Sequence, residues 1–551
     1  MTVFPRRTIT PFACLLVASA LGAANAVLAD DAEPHADHSA AHGQELLGTV
    51  DFRVSCAEAT QPAFDRALGL MHHMMYEQAR SGFAQIAETD PECAMAHWGI
   101  ATTLFQPLWP TRPSADELQQ GWTEIQKAKD LEPGSERERH LAAATEAFFR
   151  DPETADWWTR IERWADGMET AYQASPNDLD TAALYALSRL ALSPVTKDRG
   201  PLHDEAEAVL RQIYQQVPTH PGAVHYSIHA TDADGRADRA LEMVESYGEI
   251  APQVPHALHM PTHIYVRLGA WPEVIEWNRR SADAALEYPV GDAISGHYPH
   301  AADYLLYAHL QRGEDGLARA VLEEILAQEN YQPVFTSAFH LAAMPARYAV
   351  ERRQWEEAAA IEPRSPDYLP WDNALWAEGM SWLARGLGAL HTGDLEGARA
   401  AEERLTALRG EAKAAGEEAF ATYIEIDRQI LSGWIAWAED RPDEAVALIR
   451  EAAELEGTVE KHPVTPGALM PPYEALGDLL LDHDRPYESL AAYRASDEVW
   501  PGRFNTLLGA ARAAAATGND AAASDDYARL LELAGSSERQ ALSEAQEYLE
   551  G

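Results

Sequence analysis

An all-α chain of stacked helical hairpins is predicted by three observations. Ala-, Leu- and Glu-rich runs dominate, and no stretch alternates polar and apolar residues as a half-buried strand does. The segment Tyr473–Pro501 places Leu476-Gly477, Ser489, Tyr493, Ser496 and Pro501 at the spacings of a tetratricopeptide hairpin, where small residues permit close helix crossing and large ones fill the gap between layers. Similar hairpins pivot on short turns at Gly235, Gly269, Gly313, Arg353, Gly393, Asp440, Asp484 and Gly518. The fold class is therefore a tetratricopeptide-like (TPR-like) α-solenoid, a right-handed superhelix of antiparallel helix hairpins whose core is shared between neighbours.

Taken in order, residues 1–29 read as a secretory signal. Arg6-Arg7 precede an apolar stretch from Ile9 to Leu28, and small-residue triplets ending at Ala26 and Ala29 offer two cleavage points. The mature protein is expected in the periplasm or outside the cell. No other segment is apolar enough for stable membrane insertion. Residues 30–50 lack a periodic apolar face and are expected to form a flexible linker carrying His35, His38 and His42, a polar tail with a weak capacity for metal.

Three helical regions follow: an N-terminal TPR-like region at 51–195, central hairpins at 196–360 and C-terminal repeats at 361–551. In the first, the hairpin Ala63–Pro91 sets Ala79, Phe83 and Pro91 at repeat positions, while between Trp98 and Pro194 the repeat signal is weak. Met71, Met74 and Met75 flank His72-His73 at helical spacing and read as core rather than as a copper site. Trp271, Trp355 and Tyr487 follow turns and are expected to pack between helices. Cys14 leaves with the signal. Cys56 and Cys93 each lie just before a helix, and stacking of neighbouring hairpins brings them together, so a disulfide is expected.

Composition limits the function. The chain has 551 residues, 43 Lys+Arg against 88 Asp+Glu, and a net charge of −45. No basic surplus exists to neutralise phosphates, which argues against nucleic acid and anionic lipid as partners. A hydrophobic share of 46% marks a folded protein whose acidity is solvated exterior. Neither a GxxxxGK[ST] phosphate loop nor a GxSxG nucleophile elbow occurs.

The histidines are not scattered. In these hairpins the ligand-facing positions of the first helix fall roughly 6, 10 and 13 residues before the turn. Before Gly269 they hold His263, His259 and His256; before Gly235, His229, His225 and Gly222; before Gly313, Tyr307, Asp303 and His300; before Arg353, Arg347, Ala343 and His340. Later hairpins hold Leu387, Leu383 and Met380, or Trp434, Ile430 and Asp427, or Asp478, Glu474 and Pro471 in the same slots. The signature is confined to the middle of the chain.

Residues four apart share a helix face, so His225/His229 and His259/His263 can each point two imidazoles at one ion. The expected metal set is His225, His229, His259, His263 and Asp303, with zinc or copper as the cofactor. The remaining inner-face residues, His256, Tyr265, Arg267, His300, Tyr307, His340 and Arg347, are expected to line a groove. Met260, Pro261 and Thr262 stand between the second pair, so the HExxH pattern of zinc peptidases is missing. Pro261 should interrupt its helix and free a carbonyl beside the histidines.

Two stretches carry a family resemblance: DPECAMAHWGIATTL (Asp90–Leu104) and VPHALHMPTHIYVRLGAWPEVIEWNRRSA (Val254–Ala282). They resemble secreted bacterial tetratricopeptide-repeat proteins in which Cys-Ala-Met-Ala-x-Trp-Gly and His-x-x-His-Met-Pro-[Ser/Thr]-His-Ile segments recur. The resemblance covers Val50 to Arg353 and implies an α-solenoid and export, but no particular reaction. The functional expectation is an exported binding or scaffold protein whose His-rich concave groove takes a protein, peptide or metal-dependent ligand. The competing expectation is a metal-dependent enzyme with a multi-His site.

Overall fold

The structure, a computed structural model, describes residues 46–233, 235–535, 537 and 539–550. The expected signal and its cleavage points lie outside the described residues, as do His35, His38 and His42. Within them the chain is a TPR-like α-solenoid, helix packed on helix from Gln61–His72 to Gln540–Glu550, with no strand, only two isolated bridges. No helix among the described residues is long and apolar enough to cross a membrane.

Local chemistry explains the hairpins. All eight expected turn residues adopt left-handed backbone, with φ between 55° at Asp484 and 87° at Gly393. This conformation lets the chain reverse and start the next helix within three or four residues. At the crossing of Pro472–Asp482 with Pro486–Val499, a Cβ on Gly477 would meet the Tyr493 ring at 2.8 Å. The glycine is what allows the tyrosine between layers. Hairpins also continue between Trp98 and Pro194, where the repeat signal is weak. There Ser114 and Ser135 cap helices Ala115–Asp130 and Glu136–Phe149, each with its glutamate in a reciprocal capping box.

Three expectations are corrected. The linker does not extend to residue 50: Leu47 is buried in the core, and the Thr49 N–H donates to Thr219 O at 2.8 Å. Tyr487 is 74% exposed and packs between no helices, whereas Trp271 is buried and Trp355 stacks on His391 at 4.1 Å. The inner face of the central hairpins is not an open groove either. His256, His300, Tyr307, His340 and Arg347 are all at most 3% exposed.

Two distant parts of the chain cover that face. Tyr304 OH donates to Pro463 O at 2.7 Å, Arg347 donates to Thr465 Oγ1 at 2.5 Å, and Trp271 Nε1 donates to Gly502 O at 2.7 Å. From the N-terminal side, Trp109 lies over His256, His297 and His300, and the carbonyl of His72 meets His225. A repeat frame gives each helix's face but not which remote segment closes on it. Cys56 and Cys93 form a disulfide, with Cα atoms 4.8 Å apart.

Candidate metal centre

The centre is built on four successive first helices: Pro221–Thr231, the pair Pro255–His259 and Pro261–Leu268, His297–Gln311 and Phe335–Glu351. Pro261 divides the second without redirecting it, because Met260 keeps helical backbone at φ −54°, ψ −39°. The interruption changes the local hydrogen bonds. The His263 N–H turns to Met260 O, and Thr262 Oγ1 donates to the freed His259 carbonyl at 2.7 Å. His256, His259 and His263 therefore remain on one face.

Donor accounting fixes the tautomers of His259, His263 and His300. Asn278 donates through Nδ2 to Val274 O, which turns its Oδ1 toward His259 Nδ1 at 2.8 Å, so that nitrogen carries the proton. His263 Nδ1 donates to Asp232 Oδ2 at 2.9 Å. A relay serves His300: Asp303 Oδ2 accepts from His340 Nδ1 at 3.0 Å, leaving His340 Nε2 to accept from His300 Nδ1 at 2.8 Å. Each of the three rings thus presents the Nε2 lone pair. Yet His259 Nε2 and His263 Nε2 face each other 3.0 Å apart, two acceptors with no proton between them. Burial pushes both rings, and His300, below the usual imidazole range, which opposes a bridging imidazolium.

Ligand atoms of these three residues lie within 4.8 Å of one another. A cation between them would turn the lone-pair conflict into coordination. Every Nδ1 already has the partner that orients a metal-bound imidazole. Asp232 also receives Arg267 Nε at 2.8 Å and Lys461 Nζ at 3.5 Å. Burial raises its pKa, but Lys461, Arg267 and His263 outweigh that and hold it well below the carboxylate range.

A second trio, His225, His229 and His256, has ligand atoms within the same 4.8 Å. His225 Nδ1 donates to His72 O at 2.6 Å, so its Nε2 carries the lone pair. His225 Nε2, His229 Nε2 and both nitrogens of His256 are buried without a hydrogen-bond partner. A void of about 30 Å³ is lined by His229 and His256 from this trio and by His263 and His300 from the first, with Trp109 and His462 closing it.

The expected sites are thus rearranged. The ligand atoms of the expected set His225, His229, His259 and His263 do not gather in one group but divide between two trios, completed by His256 and His300. Asp303 is no ligand: its oxygens take His340 and Arg347 Nε, the latter at 3.0 Å. Tyr307 accepts from Arg503 at 2.6 Å, and Arg267 is committed to Asp232. Tyr265 is half-buried beside Glu245, Glu273 and Glu276, away from the cluster. Sequence reasoning missed Asn278, Trp109, Lys461 and His462. All four reach the centre from outside the inner-helix slots, and no sequence signal marks them.

Beyond Lys461 and His462 lies a cavity of about 420 Å³ walled by Trp376, Tyr423, Ile426 and Trp500. Its floor is Asp427, whose carboxyl burial and then Glu456 push up from 3.8 to about 8. Folded chain therefore binds more protons than unfolded chain between those pH values, and this side chain's contribution is lost as pH rises through 8. Asp427→Asn should be more stable than the natural chain at pH 9, by on the order of 5 kcal/mol, with the gap narrowing toward pH 5. Urea midpoints at pH 5, 7 and 9 measure it.

No family model matches the chain, and no curated protein matches it. Among solved structures it is similar to the human IFIT1 dimer with PPP-AAAA, at 14% identity over 88% of this chain and 96% of that one, with a TM-score of 0.38. It is also similar to Naa15/Naa10 bound to HypK-THB, at 13% identity over 89% and 72%, with a TM-score of 0.24. At these scores neither likeness extends to a ligand or partner.

Proposed function

We propose that this is an exported metal-dependent protein in which His259, His263 and His300 hold a transition-metal ion, zinc or copper, at the centre of the solenoid. The reading is carried by the two Nε2 lone pairs that face each other at 3.0 Å with both Nδ1 protons committed elsewhere. Three neutral imidazoles suit zinc and copper. Asn278, Asp232 and the Asp303–His340 relay orient them. The void beside them admits one small ligand, and the ion would serve there as a Lewis acid or redox centre. An open peptide groove is less well supported, because the residues that would line it are buried.

The test uses full chain without a His tag and with His35, His38 and His42 replaced by serine, so that the tail binds nothing. After dialysis against zinc or copper and desalting, elemental analysis should find at least one ion per chain. His263→Ala should hold one ion fewer than the unsubstituted site while keeping its helical circular dichroism. Retention below about 0.2 ion per chain for both metals would sink the reading.

A further inference from the structure

We infer that His225, His229 and His256 hold a second metal ion beside the first, making the centre dinuclear, with the void between the trios as the seat of one small bridging ligand. The inference rests on the first trio being a metal site and adds an ion that reading does not require.

The carrying observation is a set of unsatisfied nitrogens. Buried imidazole nitrogens normally find a protein or water partner, because desolvating one without compensation costs about 1–3 kcal/mol. Here His225 Nε2, His229 Nε2 and both His256 nitrogens find none, and they gather in one place. A structural network of histidines would show the rings bonded to one another, as His300 and His340 are at 2.8 Å. In the second trio the His225 ring lies 5.0 Å from His229 and 4.9 Å from His256, centroid to centroid, and no hydrogen bond links them. A single ion accepting one lone pair from each ring satisfies three of these four nitrogens at once, leaving only the N–H of His256. His225 is already in the right tautomer through the His72 carbonyl.

Adjacency makes the two sites one centre. His256 and His259 share a helix face with rings 6.2 Å apart, and His229 lies 6.2 Å from His263. Each trio contributes two side chains to the wall of the void. At about 30 Å³ it accommodates one water, hydroxide or diatomic molecule and nothing larger. A small oxygen donor touching both ions fits that volume. It would also offset positive charge that the second trio, which has no carboxylate, leaves uncompensated.

The experiment is an anaerobic copper(I) titration, by ligand competition, of the tail-substituted full chain. Two ions per chain are expected, falling to one in His256→Ala and in His225→Ala. Reoxidised natural-sequence centre should integrate to well under two electron spins per two coppers, because neighbouring ions couple, whereas His256→Ala should integrate to one spin per copper. One ion per chain, unchanged in both variants, overturns the second site and leaves the first standing. Two ions per chain, unchanged in both variants, places the second ion elsewhere and also overturns it. No retained copper in any form overturns both.

Discussion

Replacing Arg503 by methionine should destabilise the chain by about 3–5 kcal/mol, the usual cost of stripping one partner from a buried ion pair. Arg503 is 1% exposed. Its guanidinium donates to Glu474 at 2.9 Å, to Glu351 at 2.7 Å and to Tyr307 OH at 2.6 Å. Methionine keeps the volume but leaves Glu351 buried without its cation and Glu474 with only Arg353, at 3.5 Å. Glu474 makes the cost concrete. Burial pushes its pKa up, but Arg503 first, then Arg353 and Thr506, outweigh that and hold it below the usual glutamate range. The contacts join Pro472–Asp482 and Phe504–Ala516 to the inner helices His297–Gln311 and Phe335–Glu351. Denaturant unfolding measures the loss, and hydrogen exchange should show 504–533 deprotected first. An unchanged midpoint would mean that the C-terminal repeats are held by apolar packing alone.

The second large effect concerns metal affinity. Asp232→Asn should weaken binding at the His259/His263/His300 site by about 10–100-fold, the range for removing a ligand's orienting partner. The carboxylate compels His263 to carry its proton on Nδ1, toward Asp232 and away from the site. An asparagine can present its NH₂ to Nδ1 instead, which moves the proton to Nε2 and blocks the lone pair. Competition titration of zinc, with circular dichroism as a check on folding, reads the effect. Asp232→Glu should recover part of it. Equal affinities for all three chains would show that Asp232 serves only Arg267 and Lys461.

Much of the fold was legible because its determinants are local. A turn needing left-handed backbone shows itself as Gly, Asp or Arg between two amphipathic stretches, and all eight turn residues have that conformation. The slots before each turn picked out His225, His256, His259, His263, His300 and His340, all of which are buried. Long-range closure left no such mark. Trp109 lies 147 to 191 residues before the histidines it covers, and Lys461 reaches Asp232 across 229 residues. The division into two trios was equally hidden. It depends on the register between neighbouring helices, which a repeat period of 34 to 47 residues does not set. Donor accounting was out of reach for the same reason, since Asn278 and the Asp303–His340 relay act through hydrogen bonds of 2.8 to 3.0 Å between different helices.

The central claim is that neutral imidazoles enclose a metal ion inside this solenoid. Anomalous diffraction from crystals of zinc- or copper-loaded protein, collected on both sides of the metal's absorption edge, tests it most directly. A peak is expected between the Nε2 atoms of His259, His263 and His300, vanishing below the edge. Loaded crystals with no peak among these histidines, or with peaks only on exposed carboxylates, would contradict it.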